Sequence, residues 1–311
     1  MQHLAAREST VNSANQTFTT NSLLPVIAIR NVARKEGSSA SPGGTAQKFS
    51  RYSKLMTISI VTISFNQAKF LRQCIESVLT QDYPKVEYIV VDPGSTDGSR
   101  EIIESYGERI IRVFEKDDGP ADGLNRGFSK ATGALLGFIN ADDYLLPGAL
   151  SVVAAHFEDA GLDQFVSGCG YIEKRNGSRL KIFPTPMTKI RYLYGACTVF
   201  QPGTFFPKAL FDNVSGFNAN NHTCWDGELF LNFLCAGFTH NVMYMDIAIF
   251  RIHDASITGS GRLIDGFKRD HRRMFREKLG RYPNLFDALF SLALRILKFT
   301  AGLPKRITNV K

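Results

Sequence analysis

From residue 57 onward, apolar positions recur with two periods that alternate along the chain. Residues 57–63 are a continuous apolar and β-branched run, the pattern of a strand covered on both faces. Phe70, Leu71, Cys74, Ile75, Val78 and Leu79 then share one face of a helix. Residues 86–91 predict a second buried strand, 99–106 a helix opened by a Ser or Asp cap, and 112–114 a third strand. A short helix over 122–130, a strand over 134–139 and a helix over 147–157 with Pro147 in its first turn continue the series. This alternation predicts an α/β, Rossmann-like, mostly parallel sheet with helices on both faces. Such sheets bind ligands beyond the carboxyl ends of their strands.

The pattern loosens over 163–258. Short strands are expected at 164–168, 181–183 and 247–251, a helix at 227–236, and loops around Pro184, Pro186, Pro202 and Pro207. Residues 1–54 hold neither period and are rich in Ser, Thr, Asn, Ala and Gly, with 38–44 the clearest linker. They read as a disordered arm. Met56, where pattern begins, is expected to serve as a usable translation start. The organisation expected is an arm over 1–54, a domain over 55–260 divided at residue 150, and a basic helical tail over 261–311.

Composition narrows the picture. The 311 residues are 44% hydrophobic and 11% aromatic, enough for a sizeable core. Cys74, Cys169, Cys197, Cys224 and Cys235 are scattered and never spaced as C-x-x-C. That excludes a disulfide framework or zinc site and suggests reduced thiols in the cytoplasm. No apolar run approaches the length of a membrane span, and the run over 23–29 is broken by Pro25 and lacks a basic leader. The net charge is +8, but residues 267–311 alone carry +9, leaving −1 for the rest. A basic patch confined to the tail, without a binding module, argues against nucleic acid.

Candidate chemistry follows the strands. Ser64-Phe65-Asn66-Gln67 succeeds the first, Asp92-Pro93-Gly94-Ser95-Thr96-Asp97-Gly98-Ser99 the second, Asp117-Asp118-Gly119 through Asn125 the third, and Asn140-Ala141-Asp142-Asp143 the fourth. Any one cluster is also what a surface turn requires. Four at successive strand ends point to one crevice, where carboxylates repel unless a cation or ligand compensates. Asp142 and Asp143 offer hard oxygen ligands for Mg²⁺ or Mn²⁺.

By these stretches and their order, residues 58–150 resemble the nucleotide-binding half of the family 2 glycosyltransferases, which have the GT-A fold. The resemblance implies an inverting, metal-dependent transfer from a nucleotide sugar, with UDP favoured. It places Thr62, Ser64 and Asp92 at the base and ribose with Asn66 beside them, Asp122 at the nucleotide, Asp142 at the ribose or phosphates, and Asp143 on the metal. Two departures are Pro93, where relatives often carry a second acid, and Asn140, where they often carry Asp. Further along, the family places an acidic general base near Trp225-Asp226-Gly227-Glu228, giving Asp226 that role with Glu228 as partner. Asp226 also suits a helix cap, and Trp225 either an acceptor platform or the core. The stretch Arg251-Ile252-His253-Asp254-Ala255-Ser256-Ile257-Thr258 resembles an Arg-x-His-x-x-Ser motif whose His approaches the metal or diphosphate.

A dehydrogenase is excluded by the missing G-x-G-x-x-G turn, and a sugar nucleotidyltransferase by the missing Gly-rich basic loop. A noncatalytic nucleotide-sugar or glycan-binding protein is the rival from another class. In the tail, Asp287, Ser291, Arg295 and Lys298 form one polar stripe on an otherwise apolar helix over 284–304. That helix suits a membrane interface, or packing on the domain with one exposed edge. The membrane reading fits a glycan or lipid-linked acceptor in cell-surface polysaccharide synthesis, with the protein peripheral at the inner face of the plasma membrane.

Overall fold

The computed structural model describes residues 55–254, 256 and 263–308, with side chains described as far as Lys298. The expected arm over 1–54, and Ile257 and Thr258 of the Arg-x-His stretch, lie outside the described residues.

The first half alternates as its periodicity predicts. It runs β1 (Ile58–Ile63), α1 (Ala68–Leu79), β2 (Val86–Val91), α2 (Ser99–Glu104), β3 (Ile111–Val113), α3 (Pro120–Ser129) and β4 (Leu135–Asn140). These four strands are parallel, in the order β3-β2-β1-β4. Helix α1 buries Leu71, Cys74, Ile75 and Val78 on the sheet. In place of the expected Ser or Asp, Gly98 at φ 94° occupies the cap of α2, while Asp97 before it accepts the Ser99 N–H at 3.0 Å and hydroxyl at 2.6 Å. Pro147 stands ahead of its helix, α4 (Ala149–Ala160), because Gly148 at φ 78° supplies the left-handed turn that opens it.

The second half completes the same sheet. Its elements are β5 (Tyr144–Leu145), β6 (Gln164–Glu173), β7 (Arg179–Ile182), α5 (Lys189–Leu193), β8 (Thr204–Pro207), α6 (Lys208–Asn213), α7 (Trp225–Cys235) and β9 (Thr239–Arg251). The order continues β4-β8-β6-β9-β5, with β7 on β6. Strand β8 runs antiparallel to β4 and β6, whereas β6 and β9 are parallel. Strand β9 is far longer than the 247–251 expected. Its first half is mostly exposed or half-buried, so only its end reads as a buried apolar run. The short β5 pairs antiparallel with β9, Tyr144 opposite Ile249, which draws the segment after β4 beneath the end of β9.

Two apolar layers cover the sheet. One holds Leu71, Ile75 and Val78 of α1 with Val153 and Phe157 of α4. The other holds Leu124 and Phe128 of α3 with Phe206, Phe230, Phe233 and Trp225. Trp225 is 7% exposed, so it belongs to the core and not to an acceptor platform. Helices α8 (Ile264–Leu279) and α9 (Leu285–Thr308) follow. Helix α8 inserts Met274 and Phe275 into the second layer. Among the described residues no helix is long and apolar enough to cross a membrane.

Helix α3 reaches the sheet through Gly127, where an added Cβ would meet Val61 Cγ1 at 2.5 Å and Val91 Cγ2 at 2.9 Å. Branched side chains fixed in the sheet yield little. Gly127→Ala is therefore expected to destabilise the fold by about 1–3 kcal/mol, despite a helix-propensity gain of about 1 kcal/mol. Urea unfolding of the two proteins reads this directly.

Candidate active site

Strands β1, β2 and β4 end level, for Ile63 lies opposite both Val91 and Asn140. Their loops therefore leave from one edge. After β1, Asn66 adopts φ 54°. Its amide oxygen accepts the Thr96 N–H at 2.9 Å and its own N–H donates to Ser95 Oγ at 2.8 Å. Asn66 thus ties the first loop to the second.

Asp92 is fully buried. It accepts the N–H groups of Gly94 (3.0 Å) and Ser95 (2.8 Å), the Ser95 hydroxyl (2.6 Å) and Arg100 Nε (3.3 Å). With its lone pairs spent on its own loop, it shapes the pocket wall instead of reading a ligand. Thr62 is likewise fully buried, its hydroxyl 2.9 Å from that of Tyr88. Ser64 is buried with Oγ lacking a hydrogen-bond partner. The residue that faces outward at the end of β1 is Phe65, 59% exposed. Sequence reasoning passed over it, although its place directly after a buried strand was the signal.

The third loop is braced by acids. Asp122 accepts Arg126 Nε at 2.9 Å and the Asp118 N–H at 3.1 Å. Burial pushes its carboxyl up, but these bonds hold it below its ordinary value. Gly119 stands at φ 124°, and a Cβ there would come within 3.1 Å of the His222 ring. This close approach joins the donor-side loop to the segment that precedes α7.

The fourth loop separates the two adjacent acids. Asp143 is fully buried. Its Oδ1 accepts the Arg251 N–H at 2.8 Å, and its Oδ2 has no hydrogen-bond partner. Burial first, and then the neighbouring Asp142 charge, push its carboxyl well above the ordinary range. It is Asp142 that reaches the cleft. Its Oδ2 lies 2.9 Å from His253 Nε2, with side chains 15% and 17% exposed. Asp143, expected on the metal, is buried beside the β5–β9 pairing, so the carboxylate that meets His253 is that of Asp142. His253 packs on Phe70 with ring centroids 4.5 Å apart.

Arg251 holds this corner together, a role the motif hinted at without assigning. Its NH1 donates to the Asp142 carbonyl at 2.9 Å, its Nε to Glu173 at 3.3 Å and its NH2 to Gln73. Its guanidinium lies 4.4 Å from the Tyr144 ring centroid. Among the described residues no three His, Cys, Asp or Glu side chains converge on one point. Asp142 with His253 therefore offers a two-ligand oxygen and nitrogen set. That set would suit a divalent ion such as Mn²⁺, which accepts carboxylate and imidazole ligands.

On α7 the two expected catalytic acids part company. Asp226 is partly exposed, with Oδ1 accepting the Gly227 N–H at 2.8 Å. Its surroundings push its carboxyl above the ordinary value through burial, against that hydrogen bond. Glu228 is 4% exposed and saturated. It accepts Asn218 (3.1 Å), Asn221 (2.6 Å) and both Arg273 terminal nitrogens (2.9 and 2.7 Å). Glu228 thus anchors the helix that carries Asp226, and the catalytic share expected of it is withdrawn. Asn125 extends this bracing, exchanging two 2.9 Å hydrogen bonds with the Phe217 backbone.

A parallel sheet extended by antiparallel strands, with an acid and a histidine near its carboxyl edge, has the architecture of the GT-A fold. The model of glycosyl transferase family 2 matches residues 59–213, and the chain belongs to that family. A Nostoc glycosyltransferase is 36% identical over 107 residues, 33% of either chain, so the match spans about a third of that relative. Staphylococcus aureus TarS in complex with UDP-GlcNAc superposes with TM-score 0.59 at 18% identity, covering 78% of this chain and 72% of TarS. The mannosyltransferase PcManGT of Pyrobaculum calidifontis, in complex with GDP-Man and Mn²⁺, gives 0.54 at 16% identity over 80% and 75%.

Burial pushes the Glu228 carboxyl up, but Arg273, Asn221 and Asn218 overcome this and hold it below its ordinary 4.5. Its contribution to stability is therefore present above that value and is lost as pH falls through the lower folded value. Glu228→Gln should lower stability by about 2 kcal/mol at neutral pH, since Arg273 stays partly in water. The difference from the parent should shrink on acidification below pH 4.5, as read by chemical unfolding across that range.

Proposed function

We propose that the chain transfers a hexosyl or N-acetylhexosaminyl group, with inversion, from a UDP-sugar to a glycan or lipid-linked acceptor in cell-surface polysaccharide synthesis. The observation that carries this reading is the meeting of Asp142 and His253 at the carboxyl edge of the sheet. The UDP and GDP sugars bound by TarS and PcManGT support a nucleotide-sugar donor, and the Mn²⁺ of the latter supports a divalent ion. The free cysteines support a cytoplasmic setting.

In this reading Phe65 and the Asn66–Ser95 loop frame the nucleoside, and Asp142 with His253 would hold Mn²⁺ or Mg²⁺. When bound, the ion compensates the charge gathering on the departing diphosphate. Asp226 accepts the acceptor hydroxyl proton as that oxygen bonds to the anomeric carbon, while the bond from that carbon to the diphosphate breaks. The raised carboxyl of Asp226 suits a base, because a more basic carboxylate holds the proton better. A cavity of about 470 Å³ lined by Asn220, His222, Asp265 and Arg269 lies between the segment preceding α7 and the start of α8. It offers room for an acceptor beside the segment that leads into α7.

Asp226→Asn should lower turnover by about 10²–10⁴-fold and leave donor affinity nearly unchanged. In the parent, the rate should fall on the acid side as pH drops through a value above the ordinary 3.8 of an aspartate, a limb the variant lacks. Near-parental turnover in Asp226→Asn would remove the base. Separately, Asp142→Ala should abolish Mn²⁺-assisted binding of UDP-sugars in calorimetry. Retained assistance there, with loss in Asp143→Asn, would reverse the assignment of the two acids.

A further inference from the structure

Helix α9 is amphipathic in the sense opposite to that of a helix facing water. Over residues 285–298 the positions turned to the protein are Asp287, Ser291, Leu294 and Lys298. Asp287 is 7% exposed and accepts two bonds from Arg281 (2.6 and 2.7 Å), the Tyr194 hydroxyl (2.7 Å) and the Asn284 N–H (2.7 Å). One turn on, the Ser291 hydroxyl donates to the Tyr194 carbonyl at 2.7 Å. These bonds fix the rotation of the helix. Its outward face carries Leu285, Phe286, Leu289, Leu292 and Ile296, each between 55% and 79% exposed. Among the exposed residues of this stretch only Arg295 is charged.

An apolar strip of this size is costly in water. The charge beside it selects what covers it. Lys268, Arg269, Arg272 and Arg276 are exposed on α8. Arg276 lies over the Tyr282 ring at 5.4 Å and donates to its hydroxyl at 2.8 Å, which stations a cation at the entry to α9. The whole segment 267–311 carries +9. A second copy would bring the same positive charge to the contact, whereas anionic headgroups neutralise it.

We propose that α9 docks this chain on an anionic lipid bilayer, its apolar face among the upper acyl chains and the α8 cations among the headgroups. The inference goes beyond the transfer reaction and does not depend on its donor chemistry.

Flotation of the full chain with phosphatidylcholine vesicles, with and without phosphatidylglycerol, tests it. The parent should float with the anionic vesicles, weakly with the neutral ones, and less as salt is raised. Leu289→Glu with Leu292→Glu should weaken partitioning by at least about tenfold with an unchanged melting temperature, since both side chains already meet solvent. Arg272→Glu and Arg269→Glu should each weaken it by about fivefold or more. Equal flotation of parent and Leu289→Glu/Leu292→Glu would overturn the proposal. So would a parent that stays with the unfloated protein and dimerises in light scattering through a contact those substitutions abolish, for the strip would then belong to a second copy.

Discussion

The cleft depends on Arg251, one guanidinium set 8% exposed between β9, β4 and α1. Its planar fork reaches the Asp142 carbonyl, Glu173 and Gln73 at once, and its own N–H caps Asp143. A lysine has a single point of charge and no fork, so it cannot hold three directions together. Removing the guanidinium would leave Glu173 short of a partner and free the loop that carries Asp142, the expensive kind of loss in a buried network. The position of Asp142 against His253 is thus inherited from the end of β9, more than a hundred residues away in sequence.

The same physics sorts the acids into builders and reagents. Asp92 and Glu228 each receive several donors from their own surroundings. A carboxylate in that condition has few lone pairs left for a ligand and serves to hold its loop or helix. Asp142 and Asp226 each keep an oxygen free of backbone or arginine bonds and stay partly exposed. Asp143 is a third case, buried with one oxygen capped by a backbone N–H, and burial raises its affinity for a proton. Adjacent identical residues thus serve different ends because one faces the sheet and the other the crevice.

That division explains what was legible in the sequence. The parallel half was readable almost element by element, because strands buried on both faces announce themselves as apolar runs and α1 as a stripe. The location of the cleft followed from the strand ends. What escaped was whatever tertiary pairing decides. Strand β8 has four residues, the exposed first half of β9 resembles a loop, and α8 is dominated by charge although Met274 and Phe275 anchor it. Among site residues, the choice between Asp142 and Asp143 turns on the pairing of β5 with β9. Local spacing contains no trace of it. Thr62 was misplaced for a related reason, since a hydroxyl in a strand satisfied by a buried tyrosine looks in sequence like one facing a ligand.

The expected boundary at residue 261 falls in the wrong place physically. Arg273 of α8 grips Glu228, two residues from Asp226 on the same helix, and Asn218 continues that grip toward Phe217 and Asn125 of α3. Helix α8 is therefore part of the body that positions Asp226, and α9 is tied to that body in turn through Asp287 and Ser291 on Tyr194. One side of α8 is spent inside the enzyme and the other carries exposed cations. A surface engaged by α8 and α9 would consequently be connected to Asp226 through the Arg273–Glu228 bridge between α8 and α7 instead of a loose linker. On the proposed reading of Asp226 as the base, an acceptor held at that surface would meet it in a restricted range of orientations.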